Sequence, residues 1–153
     1  MPNSTQEVPA GYEPLGSRSP FNQMIGPLQA RLQDEGVAVG LLLEDKHLNT
    51  GGRLHGAMVC AIFDSCFGLN VGVSIARAEE PGAQLRPPDV SGPPLVTVSL
   101  TTEYLGTARV GDWVEARATI QRPGRSLAFV SGELTCGGVP IAKGHGIFRV
   151  FAP

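Results

Sequence analysis

The chain has 153 residues, the size of one ordinary domain, long enough to bury a single core and too short for two comfortable ones. Its 12 Lys and Arg are scattered and stand against 14 Asp and Glu, a formal net charge of −2, so it lacks the electrostatic footprint of a nucleic-acid binder. Three cysteines, Cys60, Cys66 and Cys136, show neither CxxC spacing nor an even count, which argues against a disulfide framework or a structural zinc site and predicts a reducing, cytoplasmic setting.

Residues 1–20 are polar and rich in Pro and Gly, without the basic start or apolar core of a signal peptide, and predict a mobile tail ahead of one domain over 21–153. Phe21 to Gln33 predicts one or two short helical turns interrupted by Gly26-Pro27 and ended by Gly36. Val37 to Glu44 predicts a strand and Asp45 to Leu54 a loop. From Gly56 to Ala76 the chain is apolar on all sides, and Asp64 is its only formally charged residue. The segment is long enough to span a bilayer, but its mid-span Asp, Asn, Ser and Gly residues favour a helix buried in protein, and no membrane partner is expected.

Arg77 to Pro94 holds five prolines and predicts a long irregular excursion, either a lid over a site or an insertion. Four strands are predicted after it: Leu95–Tyr104, Trp113–Gln121, Ser126–Cys136 and Val139–Phe151. Alternation puts Val96, Val98, Leu100 and Tyr104 on one face, with Val114, Ala116, Ala118 and Ile120, and Ala142, Gly144, Gly146, Phe148 and Val150. Small residues on that face would let a helix approach the backbone, while Glu103, Glu115, Arg117, Glu133, Lys143 and Arg149 point the other way. The expected fold is α+β, a curved antiparallel sheet wrapped around one long central helix.

A glycine-rich lead, Asn49-Thr50-Gly51-Gly52-Arg53-Leu54-His55-Gly56, runs into that helix. An unpaired buried carboxylate costs several kcal/mol, so Asp64 must be neutralised, paired or kept for chemistry. Gly56 falls where the helix begins; backbone N–H groups there lack partners, and a glycine lets a carbonyl approach, or simply makes a tight entry turn. Asn49 carries an amide able to orient water or an acyl carbonyl, and equally suits ordinary turn chemistry. Cys60 and Cys66 flank Asp64 and read as core thiols more readily than as a nucleophile paired with His55. His145 reads as a strand residue.

Asn49, six residues before His55-Gly56, with Asp64 nine after the His, resembles the motif of the hotdog-fold acyl-CoA thioesterases, in particular the phenylacetate-pathway and 4-hydroxybenzoyl-CoA thioesterase branch. VTVSLTTEYLGTARVGD, GRSLAFVSGEL and IAKGHGIFRV extend the resemblance over about residues 37 to 151; Ala57, where a second glycine is common, and the longer 77–94 excursion depart from it. The resemblance implies hydrolysis of an acyl-CoA thioester with no cofactor or metal. It implies Gly56 as the oxyanion donor, Asp64 as nucleophile or as base for water, His55 as a support for the loop, and Thr97 as a hydroxyl near the carboxylate. Against this last role, simple alternation turns Thr97 away from the apolar face. Arg122 and Arg125, with Lys143 behind them, are candidates for the coenzyme A phosphates.

Gly56 and Asp64 are eight residues apart, about 12 Å along a helix axis at about 1.5 Å per residue, so one carbonyl cannot touch both. If they act together, Asp64 must come from a second subunit with its helix antiparallel, which predicts a homodimer, or a tetramer of such pairs. The competing expectations are a hotdog acyl-CoA hydratase or dehydratase, which would want Asp and His as a proton-transfer pair, and a non-catalytic acyl-CoA binding module.

Overall fold

The computed structural model describes residues 7–16, 19–86, 93–123 and 126–151, with the side chains of Arg122 and Pro123 left undescribed. Its elements are β1 (Glu13–Pro14), α1 (Pro20–Ile25), β2 (Gln29–Gln33), β3 (Gly36–Leu42), a 3-10 turn (Asp45–His47), α2 (Gly56–Glu79), β4 (Leu95–Tyr104), β5 (Trp113–Pro123), β6 (Leu127–Cys136) and β7 (Val139–Val150). The strands form one antiparallel sheet in the order β1-β2-β3-β5-β6-β7-β4. Strands β3 to β7 all contact α2, so the sheet wraps the helix.

The expected central helix is α2, three residues longer than the apolar run because Arg77, Ala78 and Glu79 continue it to a cap at Glu80. It is apolar and long enough to cross a membrane, but Met58, Val59, Ile62, Phe63, Cys66, Phe67, Val71 and Val73 are buried in the sheet's core. Phe63 and Phe67 stack with centroids 5.1 Å apart, over the β7 glycines. A Cβ on Gly144 would lie 2.9 Å from the Phe63 ring, and one on Gly146 2.9 Å from the Phe67 ring, so these glycines set how closely the helix lies on the sheet.

Three expectations are corrected. Phe21–Gln33 splits at Gly26-Pro27: α1 precedes the break, capped by Ser19 Oγ accepting from the Asn22 N–H, but Gln29–Gln33 is strand β2, paired along its length with β3. Residues 1–20 are not all tail. Glu13 and Pro14 pair with Ala30 and Gln29, the Leu15 N–H donates to Leu28 O, and the Tyr12 hydroxyl donates to Glu115, which Arg117 also holds. The third concerns β4. Between Thr97, opposite Phe148, and Ser99, opposite Ile147, the register shifts by one residue, with Val98 the extra one. A bulge reverses which residues share a face. Thr97 therefore lies on the side of Leu100, Thr102 and Tyr104, opposite the inward Phe148, Gly146, Gly144 and Ala142, and Val96 and Val98 are left 53% and 58% exposed.

Candidate active site

The loop leading into α2 is built by its own polar groups. Asn49 Oδ1 accepts from the N–H groups of Gly51 (2.9 Å) and Arg53 (3.2 Å), and the Asn49 N–H donates to Arg53 O. That is turn chemistry, and it leaves the Asn49 side-chain NH₂ as the group free to face a ligand. The Leu54 N–H donates to Ala108 O and the His55 N–H to His47 O, tying the loop to the β4–β5 connection and to the 3-10 turn. His47 is fully buried. Its Nδ1 accepts from the Glu44 N–H (2.9 Å) and its Nε2 donates to Ile25 O (2.7 Å).

His55 caps α2: its Nδ1 accepts from the Ala57 N–H at 3.0 Å. One ring nitrogen is thus committed to the helix start. Gly56, the first helical residue, has no intrahelical acceptor for its own N–H, which lies at the positive end of the helix dipole. Sequence reasoning missed what covers it. The Tyr104 hydroxyl donates to Gly56 O at 2.9 Å, and Cys60 Sγ lies 3.3 Å from that hydroxyl and 3.5 Å from Thr102 Oγ1. The Cys60 contact, with partial burial, raises the Tyr104 phenol to about 12, so it stays protonated and a donor. Cys60 thus faces β4. Burial pushes Cys66 up to about 12, which keeps it an inert thiol.

Two turns further along α2, Asp64 is only half-buried, so the cost expected of a buried carboxylate does not arise, and its Oδ1 accepts from Thr97 Oγ1 at 2.6 Å. The bulge at Val98 is what aims Thr97 there. Gly56, Cys60 and Asp64 follow each other at intervals of four on α2, and Tyr104, Thr102 and Thr97 oppose them from β4, a polar seam between helix and edge strand. Asn49 stays in its loop, with no bond to Asp64 among the described residues. His145 and Lys143 lie exposed on the far face of β7. Arg125 and the side chain of Arg122 lie outside the described residues, as do 87–92 of the predicted excursion.

A seven-strand antiparallel sheet around one long helix, with a hydroxyl-held carboxylate at mid-helix and an open N–H at its start, defines a hotdog-fold enzyme. The chain belongs to the thioesterase superfamily, whose family model matches residues 51–142. It is 32% identical over 144 residues to a Pseudomonas aeruginosa protein provisionally named an esterase, covering 94% of this chain and 97% of that one. With human acyl-coenzyme A thioesterase 13 it shares 25% identity over 136 residues, 88% of this chain and 86% of the other. Zebrafish thioesterase superfamily member 2 superposes with a TM-score of 0.68 at 26% identity, covering 88% and 89% of the two chains. The protein is a thioester hydrolase.

Proposed function

We propose that the protein hydrolyses acyl-CoA thioesters to a carboxylic acid and free coenzyme A at a site shared by two subunits. The thioester carbonyl sits on the Gly56 N–H of one subunit, and the Asp64 carboxylate of the other attacks the carbonyl carbon or takes a proton from the water that does. The carbon–sulfur bond breaks as the carbonyl re-forms, and the coenzyme A thiolate leaves to take up a proton; where Asp64 itself attacks, water then hydrolyses the Asp64–acyl anhydride, releasing the acid and restoring the carboxylate. The observation that carries this reading is the Asp64 carboxylate itself, the only charged side chain in the apolar run, held by a single hydroxyl and placed eight residues from the open helix end. The name of the human relative supports acyl-CoA as the substrate class. The free edge of β4, which has only β7 as partner among the described residues, together with exposed Val96 and Val98, supports a second copy alongside that strand.

Free-thiol release from a panel of aromatic, branched and straight-chain acyl-CoAs tests the activity. Asp64→Asn, which keeps the shape and removes the charge, should lower kcat by about 100-fold or more while the fold survives. Near-normal turnover by that variant would remove Asp64 from the reaction. Hydration of enoyl-CoA without thiol release would instead mark a hydratase.

A further inference from the structure

The residue that receives the carbonyl in the proposed reaction is a glycine, the residue type with the greatest backbone freedom, and it sits at a helix end. Gly56 has no side chain to anchor it; its N–H lies in the His55–Gly56 peptide, and the Gly56–Ala57 peptide fixes the glycine from the other side of its Cα. The peptide before it is held through His55 O, which accepts from the Met58 (2.9 Å) and Val59 (3.3 Å) N–H groups. The peptide after it is held at both ends: its N–H, from Ala57, goes to His55 Nδ1, and its carbonyl, Gly56 O, the first acceptor inside α2, also takes the Tyr104 hydroxyl. A Cβ added at Gly56 would stand 3.3 Å from Tyr104 Oη and 3.4 Å from its Cε1 and Cζ, so the ring also walls one side of the space over Gly56.

We propose that Tyr104 is a positioning residue for thioester hydrolysis: its hydroxyl locks the Gly56–Ala57 peptide so that the Gly56 N–H is aimed at the transition-state oxyanion. This rests on the placement of the carbonyl at Gly56. Donors preorganised toward developing charge owe their effect to not having to reorient during the reaction. Losing the lock therefore slows the chemical step and leaves ground-state binding of the coenzyme A portion nearly untouched. Cys60 Sγ contacts the phenol and is itself bonded to Thr102 Oγ1, and because Tyr104 belongs to β4, the strand that presents Thr97 to Asp64 also reaches Gly56.

Tyr104→Phe removes the hydroxyl and keeps the ring. Its kcat should fall about five- to tenfold, the scale of one neutral hydrogen bond, with KM within about twofold and an unchanged melting temperature to within a few degrees. The second readout is a non-hydrolysable acyl-CoA ketone, a methylene replacing the sulfur, ¹³C-labelled at the carbonyl and bound to each protein. In the wild type its carbonyl stretch should move to lower frequency on binding, and in Tyr104→Phe it should move less. Equal shifts in the two proteins, or an unchanged kcat, would overturn the role of Tyr104 and leave Gly56 as the carbonyl's donor. No shift in the wild type would remove Gly56 itself and this proposal with it.

Discussion

At the scale of single residues, His47 ties together three parts of the chain that share no strand pairing. Its two ring nitrogens bind the end of α1 and Glu44 at the cap of the 3-10 turn, and its carbonyl receives the His55 N–H at the start of α2. Because Nδ1 accepts from a backbone N–H, only the neutral ring fits; a proton there would confront the Glu44 N–H. Burial accordingly holds the imidazole below its ordinary 6.5. With the folded value below the unfolded one, the unfolded chain binds more protons in the interval between them, so stability rises with pH there. The contribution is complete above about pH 6.5 and is lost as the pH falls from that point toward the folded value. Urea midpoints from pH 8 to pH 5 should drop more steeply below 6.5 in the wild type than in His47→Gln, which has no titrating ring; parallel curves would show that His47 is not the group responsible. Nothing in the sequence separates this histidine from a solvated one in a loop, because its partners are backbone groups contributed from 22 residues away and from a turn.

At the scale of elements, β3 and β5 diverge before either ends. Their pairing runs only from Val39 to Leu42 of β3, and before Val39 the side of β3 that β5 has left is closed by α2 instead. Asn70, 4% exposed, accepts from the Val37 N–H through Oδ1 and donates through Nδ2 to Val37 O, both at 2.9 Å, while also donating to Cys66 O at 2.8 Å. Its side-chain amide thus takes the place of a strand neighbour, and a Cβ on Gly36 would collide with it. Asn70→Ala leaves a buried donor and acceptor unpaired and should cost about 2–4 kcal/mol, measured by urea unfolding. A loss under about 0.5 kcal/mol would mean that water replaces the amide and that the staple is dispensable. The helix, β3 and the last four strands were legible because an unbroken apolar run and period-2 alternation are local signals. Strand β2 was not, since Gln29–Gln33 has five residues, most of them good helix formers, and is a strand only because β3 lies beside it. β1 contains a proline and earns its place by a distant pairing and by Tyr12 on Glu115. The bulge at Val98 is the most consequential miss: one inserted residue defeats an alternation argument, and it is what turns Thr97 from an outward position into the partner of Asp64.

At the scale of the molecule, one protomer holds both halves of the proposed site too far apart to use them. Gly56 and Asp64 remain about 12 Å apart along α2, and Asp64 is bonded to Thr97 on β4. A two-fold partner with its α2 antiparallel would bring the Asp64 of one copy toward the Gly56 of the other, and the isologous contact would do so twice. Asn49 travels with Gly56, because its side chain builds the loop that leads into the same helix start. Whether its NH₂ touches substrate or its Oδ1 only shapes the loop, an Asn49→Ala lesion falls on the Gly56 half of a site. An Asn49→Ala chain and an Asp64→Asn chain, each inactive alone, should on joint unfolding and refolding give heterodimers in which one site carries both changes and the other neither. Random pairing makes half the dimers mixed with one of two sites intact, so about a quarter of wild-type specific activity should return. Tagging the two chains differently and purifying through both tags isolates the heterodimer, which should carry about half. A doubly tagged heterodimer without activity would overturn the shared geometry, since Asp64 and the Asn49 loop would then have to act within a single chain.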